Sequence, residues 1–111
     1  MLSPENRLRR RTEFSDVVRR GRRASRPLLT VHLLAAADAS PARAGLVVSK
    51  AVGGSVVRTR VSRRLRHQLR PLVATLPAGT RLVVRAAPAA AAADSAALGH
   101  DLRGAVDRLT R

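Results

Sequence analysis

The chain has 111 residues and reads as one domain, 1–111, with 22 Lys and Arg against 7 Asp and Glu, a formal net charge of +15. It has no cysteine, which excludes a disulfide framework and a thiolate zinc site and suits a cytoplasmic location. The N-terminal MLSPENRLRRR lacks the apolar run of a secretory signal, and no segment approaches the length of a membrane span.

Residues 1–11 read as a mobile basic arm. Thr12 can cap a short helix over about 13–20, with Phe14, Val17 and Val18 on one face. Arg19 and Arg20 suit its last turn, and Gly21 suits its C-terminal cap. Residues 28–36 and 44–50 read as strands joined by the turn 37–42, and are expected to pair as a hairpin. The stretch 22–27 can add a short strand before them. Gly53-Gly54-Ser55 then breaks the chain, with Ser55 as the cap of a helix. In that helix Val57, Val61, Leu65 and Leu69 recur at i+4 and form an apolar stripe about 120° wide. Arg60, Arg63, Arg64, Arg66 and Arg70 take the other side, while Arg58 projects near the stripe. Pro71 either ends the regular helix or follows a kink. Residues 77–80 form a turn and 81–86 a strand. A connector of open conformation follows, and Asp94 or Ser95 caps a last helix carrying Leu98, Leu102, Ala105 and Leu109. Gly99 and Gly104 each weaken that helix by about 1 kcal/mol relative to Ala. The order α-β-β-β-α-β-α predicts an α+β fold, a small four-stranded sheet packed with three helices. Twenty of the fifty apolar residues are Ala, so the core is small and a partner that binds the folded chain stabilises it.

No enzyme constellation appears. His32, His67 and His100 fall in three different elements, and the acids are scattered without paired carboxylates. Gly53-Gly54-Ser55 is either a phosphate nest or an ordinary strand-to-helix turn, since the Walker pattern is missing. The arginine helix is more telling. A solvated basic helix alternates Glu with Arg at i+4, yet no acid stands between Arg43 and Arg70. Twenty-one of the 22 cations are Arg, whose fork binds phosphate through two N–H groups. The expected partner is nucleic acid. Phe14 is the one aromatic, either a core anchor or a single stacking surface, so a base-stacking platform is not expected. Charge alone also admits a ribosomal or general RNA-binding protein of similar fold. A DNA reader is disfavoured, because Asn6 and Gln68 are the only amides available for adenine.

The segment AGLVVSKAVGGSVVRTRVSRRLR, residues 44–66, resembles the signature of the bacterial ribonuclease P protein family. That signature is a Val-Gly-Leu-Val-Val-Ser-Lys strand, a glycine turn, and Arg-Asn-Arg-x-Lys-Arg-x-x-Arg on a helix. NRLRRRTEFSDVVRRGRR, RPLLTVHLL and LPAGTRLVVRAAP fit the family in order and spacing, so the resemblance spans nearly the whole chain. It implies an auxiliary subunit of a ribonucleoprotein endonuclease whose catalytic RNA, using magnesium, removes the 5′ leader of precursor tRNA. The protein itself would hold no cofactor or metal, supply no catalytic residue, and bind the RNA as a monomer, one to one. By motif position Arg58, Arg60, Arg63, Arg64, Arg66 and Lys50, with the basic N-terminal Arg9, Arg10 and Arg11, would carry the RNA contacts. Phe14, Val18, Val31 and Lys50 would line a leader cleft between the first helix and the sheet. The resemblance further implies a ribosomal-protein-like two-layer sandwich with a left-handed βαβ crossover, against the usual right-handed preference. Thr59 and Ser62 depart from the motif's Asn and Lys. Ala51 stands where a second Lys is common, and Val18 and Val31 stand where relatives often carry aromatics.

Overall fold

A computed structural model describes residues 2–111; Met1 lies outside the described residues. The elements are α1 (Arg11–Arg20), β1 (Arg22–Ser25), β2 (Leu29–Ala35), β3 (Arg43–Val47), α2 (Ser55–Val73), β4 (Thr80–Ala86) and α3 (Ser95–Thr110), with short 3-10 turns at Pro4–Asn6 and Pro88–Ala92. The element order is the expected one, and the fold is α+β.

The sheet order is β1-β2-β4-β3. β1 and β4 both pair antiparallel to β2, and β3 pairs parallel to β4. The hairpin expected between 28–36 and 44–50 is therefore absent: β4 lies between those strands. Burial explains the exchange. Leu82, Val83 and Val84 are apolar on both faces and fully buried, so β4 needs a central place. β1, with exposed Arg22, Arg23 and Ser25, is suited to an edge. Residues 22–27 do hold a strand, and it makes the hairpin with β2 instead. The 36–42 loop passes the end of β4, where Gly79 N–H donates to Ser40 O at 2.8 Å and Ala36 N–H donates to Gly79 O at 3.0 Å. Gly79 has φ +84 and lies against Ala36 and Asp38, so a side chain there is both strained and crowded.

α2 and α3 cover one face of the sheet and α1 part of the other. Leu29, Val31 and Leu33 of β2, Leu82 and Val84 of β4, and Ala44 of β3 join Val61, Leu65, Leu69, Leu98, Leu102 and Ala105 in the main core. The i+4 stripe of α2 continues to Val73, also buried. Helical structure thus runs through Pro71 and ends two residues beyond it. Pro71 cannot donate to the His67 carbonyl, but both residues are exposed, so water can satisfy that carbonyl. Ser55 is the first helical residue rather than the cap; Gly54 is the cap, without a side-chain bond. At α3, Asp94 Oδ1 accepts from Ala97 N–H at 2.8 Å, as a capping Asp should. The two α3 glycines give room: a Cβ at Gly99 would strike the Gln68 amide, and one at Gly104 the Arg26 guanidinium. Arg22 Nη1 donates to Leu109 O at 2.9 Å, placing a cation at the C-terminus of α3.

The N-terminal segment, expected to be a mobile arm, packs along the edge of β3. Leu2 and Leu8 are buried, Leu8 N–H donates to Ala44 O at 3.0 Å, and Asn6 Nδ2 donates to Ala42 O at 2.8 Å. α1 begins at Arg11, one residue ahead of the expected Thr12 cap. Arg10 is its cap position, and Glu13 Oε1 accepts from Arg10 N–H at 3.2 Å.

Candidate nucleic-acid interface

On the α1 side of the sheet, strand alternation and register arrange three rows. Arg43, Arg81 and Leu34 form the first; Gly45, Val83, His32 and Arg23 the second; Val47, Arg85, Thr30 and Ser25 the third. α1 lies over the first two. Leu8 and Val17 are buried against Val83, with Phe14, Val18, Leu34 and Val47 half-buried around them. The Phe14 ring sits directly over Gly45, where a Cβ would overlap it. Much of the third row is left uncovered.

The open ground beside α1 is a depression of about 380 Å³ lined by Val18, Gly21, Arg23, Thr30, His32 and Arg85. Arg23 and Arg85 are exposed. His32 is 6% exposed, and its Nδ1 is buried with no hydrogen-bond partner among the described residues. Burial, then the charges of Arg85 and Arg23, hold its pKa below 6.5. Val47 and Arg85 in the third row, with Val18 and Arg23 bordering the depression beside it, offer contact to bases and to phosphates.

Of the cleft residues implied by the resemblance, the structure brings Phe14 and Val18 together. Val31 does not join them. It is 0% exposed in the core under α2 and α3, because on β2 it points to the face opposite His32. Lys50 is exposed in the turn after β3, which ends at Val47 rather than at residue 50. The depression also brings together Arg23, Thr30, His32 and Arg85, which the motif does not name. The signal for them was the alternation of β2 with a period of two, which puts Thr30 and His32 on the α1 face.

A second basic surface lies at the start of α1. Arg7, Arg9, Arg10 and Arg43, with Pro4, Glu5 and Glu13, line a depression of about 620 Å³. Arg43 pairs with Glu13 at 3.4 Å, and Arg9 Nη2 donates to Pro4 O at 3.3 Å. Arg11 is exposed at the first position of the helix.

On α2, Arg63, Arg66 and Arg70 are exposed, while Arg58, Arg60 and Arg64 are partly buried. Arg58 Nε is buried without a partner, as its place beside the apolar stripe dictates. The first turn holds no acid and no side-chain cap, so its N–H groups and positive dipole are free for an anion. No three His, Cys, Asp or Glu residues are grouped to hold a metal among the described residues. No helix there is long and apolar enough to cross a membrane.

The comparisons bear on family and fold. The ribonuclease P family model matches residues 2–110. The ribonuclease P protein component of Streptomyces avermitilis is 58% identical over 117 residues, covering 98% of this chain and 95% of the relative. That of Thermobifida fusca is 50% identical over 118 residues, covering 100% and 80%. Among solved structures, the Staphylococcus aureus RNase P protein has a TM-score of 0.83 at 18% identity, covering 93% and 94%. The Thermotoga maritima protein has 0.76 at 22%, covering 95% and 96%. At that identity the two structures speak for the fold, whereas the curated relatives and the family match speak for descent and do not favour a ribosomal protein. The chain belongs to the ribonuclease P protein family.

Proposed function

We propose that this protein serves ribonuclease P by binding its catalytic RNA through α2 and the basic N-terminal surface, and by holding the 5′ leader of precursor tRNA across the uncovered row beside α1. The observation that carries the reading is the α1-side surface: half-buried Val47 and exposed Arg85 side by side in the uncovered row, with Val18 and exposed Arg23 lining the depression next to it. A single-stranded leader can lay bases against the valine side chains and phosphates against the guanidinium groups. With Phe14 as the one aromatic, stacking is limited and charge carries much of the affinity. The magnesium-dependent hydrolysis belongs to the RNA. The polypeptide holds no cofactor and acts as a monomer, one to one with the RNA, raising the local concentration of substrate at the catalyst and neutralising phosphate repulsion between the two RNAs.

The experiment is a cleavage assay on precursor tRNA with the cognate catalytic RNA at limiting magnesium. The chain alone cleaves nothing, and added to the RNA it accelerates leader removal. Equal rates with and without the chain would remove the proposal.

A further inference from the structure

The arginines of α2 differ in what they touch. Arg60 Nη2 donates to Ala91 O at 2.9 Å, and Arg64 Nη1 donates to Ala93 O at 2.6 Å. One turn on, Gln68 Nε2 donates to Ser95 Oγ at 2.9 Å, and its Oε1 accepts from Arg103 at 3.3 Å. Positions 60, 64 and 68 fall on one line of the helix. That line meets the connector between β4 and α3, where the Ala91 and Ala93 carbonyls accept from it. Two guanidinium groups are thus engaged inside the protein, and Arg60 Nε is buried as well.

A second line is free. Thr59, Arg63, Arg66, His67 and Arg70 are all exposed. At 100° per residue they lie within about 60° of Arg63, and Arg70 only about 20° from it. The side chains of Arg63, Arg66 and Arg70 make no hydrogen bond or ion pair among the described residues. Their mutual repulsion at i+3, i+4 and i+7 is unrelieved on the protein. Arg63 and Arg70 are about 10 Å apart along the axis, nearly two turns.

The geometry points to a division of labour: Arg63, Arg66 and Arg70 form the ridge that neutralises RNA phosphates, reaching Arg70 beyond the family motif, while Arg60 and Arg64 hold the connector to α2. The inference rests on the RNA-binding reading and refines which residues perform it. A side chain already bonded to a carbonyl and partly buried gains less from a phosphate than one that is exposed and unbonded. Arg70 lies outside the motif, so only its place on the ridge identifies it.

The test is the salt dependence of binding to the cognate catalytic RNA for the wild type and for Arg63→Gln, Arg70→Gln, Arg60→Gln and Arg64→Gln, with thermal unfolding and amide exchange of residues 88–97 measured in parallel. Arg63→Gln and Arg70→Gln should each make the log–log slope shallower by about 0.7 to 0.9, leaving the melting temperature unchanged. Arg60→Gln and Arg64→Gln should keep the wild-type slope, with a lower melting temperature and faster exchange in the connector. Arg70→Gln is decisive by itself, since that side chain is exposed and its loss leaves the fold intact. A wild-type slope for Arg70→Gln, or a shallower slope for the two connector arginines, overturns the inference. Salt-independent binding by the wild type would overturn the RNA-binding reading as well, and so is distinguishable.

Discussion

Gly45 and Phe14 provide a sharp test of the α1-side packing. Gly45 lies opposite Val83 in the parallel pair of β3 and β4, and the Phe14 ring fills the space where a side chain would begin. A Cβ there would overlap Cε2 and Cζ and stand 3.2 Å from Cε1. Gly45→Ala must therefore push the ring away from buried Val83 and half-buried Val47, in the cluster that joins α1 to the sheet. Overpacking of this kind costs about 1–3 kcal/mol. For a chain of this size the melting temperature falls by roughly 5–15 °C. A Phe14→Leu change in the same chain removes the ring edge and should recover part of the loss, so the double-mutant cycle is non-additive. Thermal unfolding by circular dichroism reads both effects. Because the displaced ring borders the row proposed to hold the leader, Gly45→Ala should also weaken precursor tRNA more than mature tRNA. An unchanged melting temperature, or strict additivity with Phe14→Leu, would refute this packing.

Three further outcomes follow from single residues. His32 titrates below 6.5 in the folded chain, so the unfolded chain takes the proton first. Its contribution to stability is complete above pH 6.5 and declines as pH falls below that, and His32→Gln should flatten this stretch of the stability profile. A phosphate between Arg23 and Arg85 would favour the imidazolium, so leader affinity should rise as pH is lowered through the same range, and His32→Gln should abolish the rise. Asp94→Ala removes the α3 cap and should cost about 1 kcal/mol in a denaturant titration, with no change in RNA affinity. Val31→Ala should lower stability by roughly 1–3 kcal/mol through a core cavity and leave leader affinity unchanged, as its place under α2 and α3 requires.

The strongly periodic parts of the fold were legible before the structure. The α2 stripe of Val57, Val61, Leu65 and Leu69 is determined by helix geometry alone; the α3 cap was legible only as Asp94 or Ser95, and the Ala97 N–H bond to Asp94 decides between them. Strand pairing was not legible, because hydrophobic pattern fixes which face a strand buries and says little about its neighbour. The apolar stretch of β4 on both faces was the available clue to its central position. The N-terminal segment looked mobile because its arginines dominate; Leu2 and Leu8, too sparse to show a period, are what bury it. The motif located the arginine helix correctly but could not separate Arg60 and Arg64, whose partners are carbonyls 31 and 29 residues away in the chain, from the exposed Arg63. Val31, which the resemblance implies for the cleft, is one position out of step with His32, and on a strand one position is the other face.

The account rests on the protein gripping the leader. The most direct measurement is the dissociation constant of leader-bearing precursor tRNA and of mature tRNA, each against the catalytic RNA with and without this chain at matched salt. The account predicts that the chain tightens the precursor complex and leaves mature tRNA nearly unchanged. Equal tightening of both, or of neither, would contradict it.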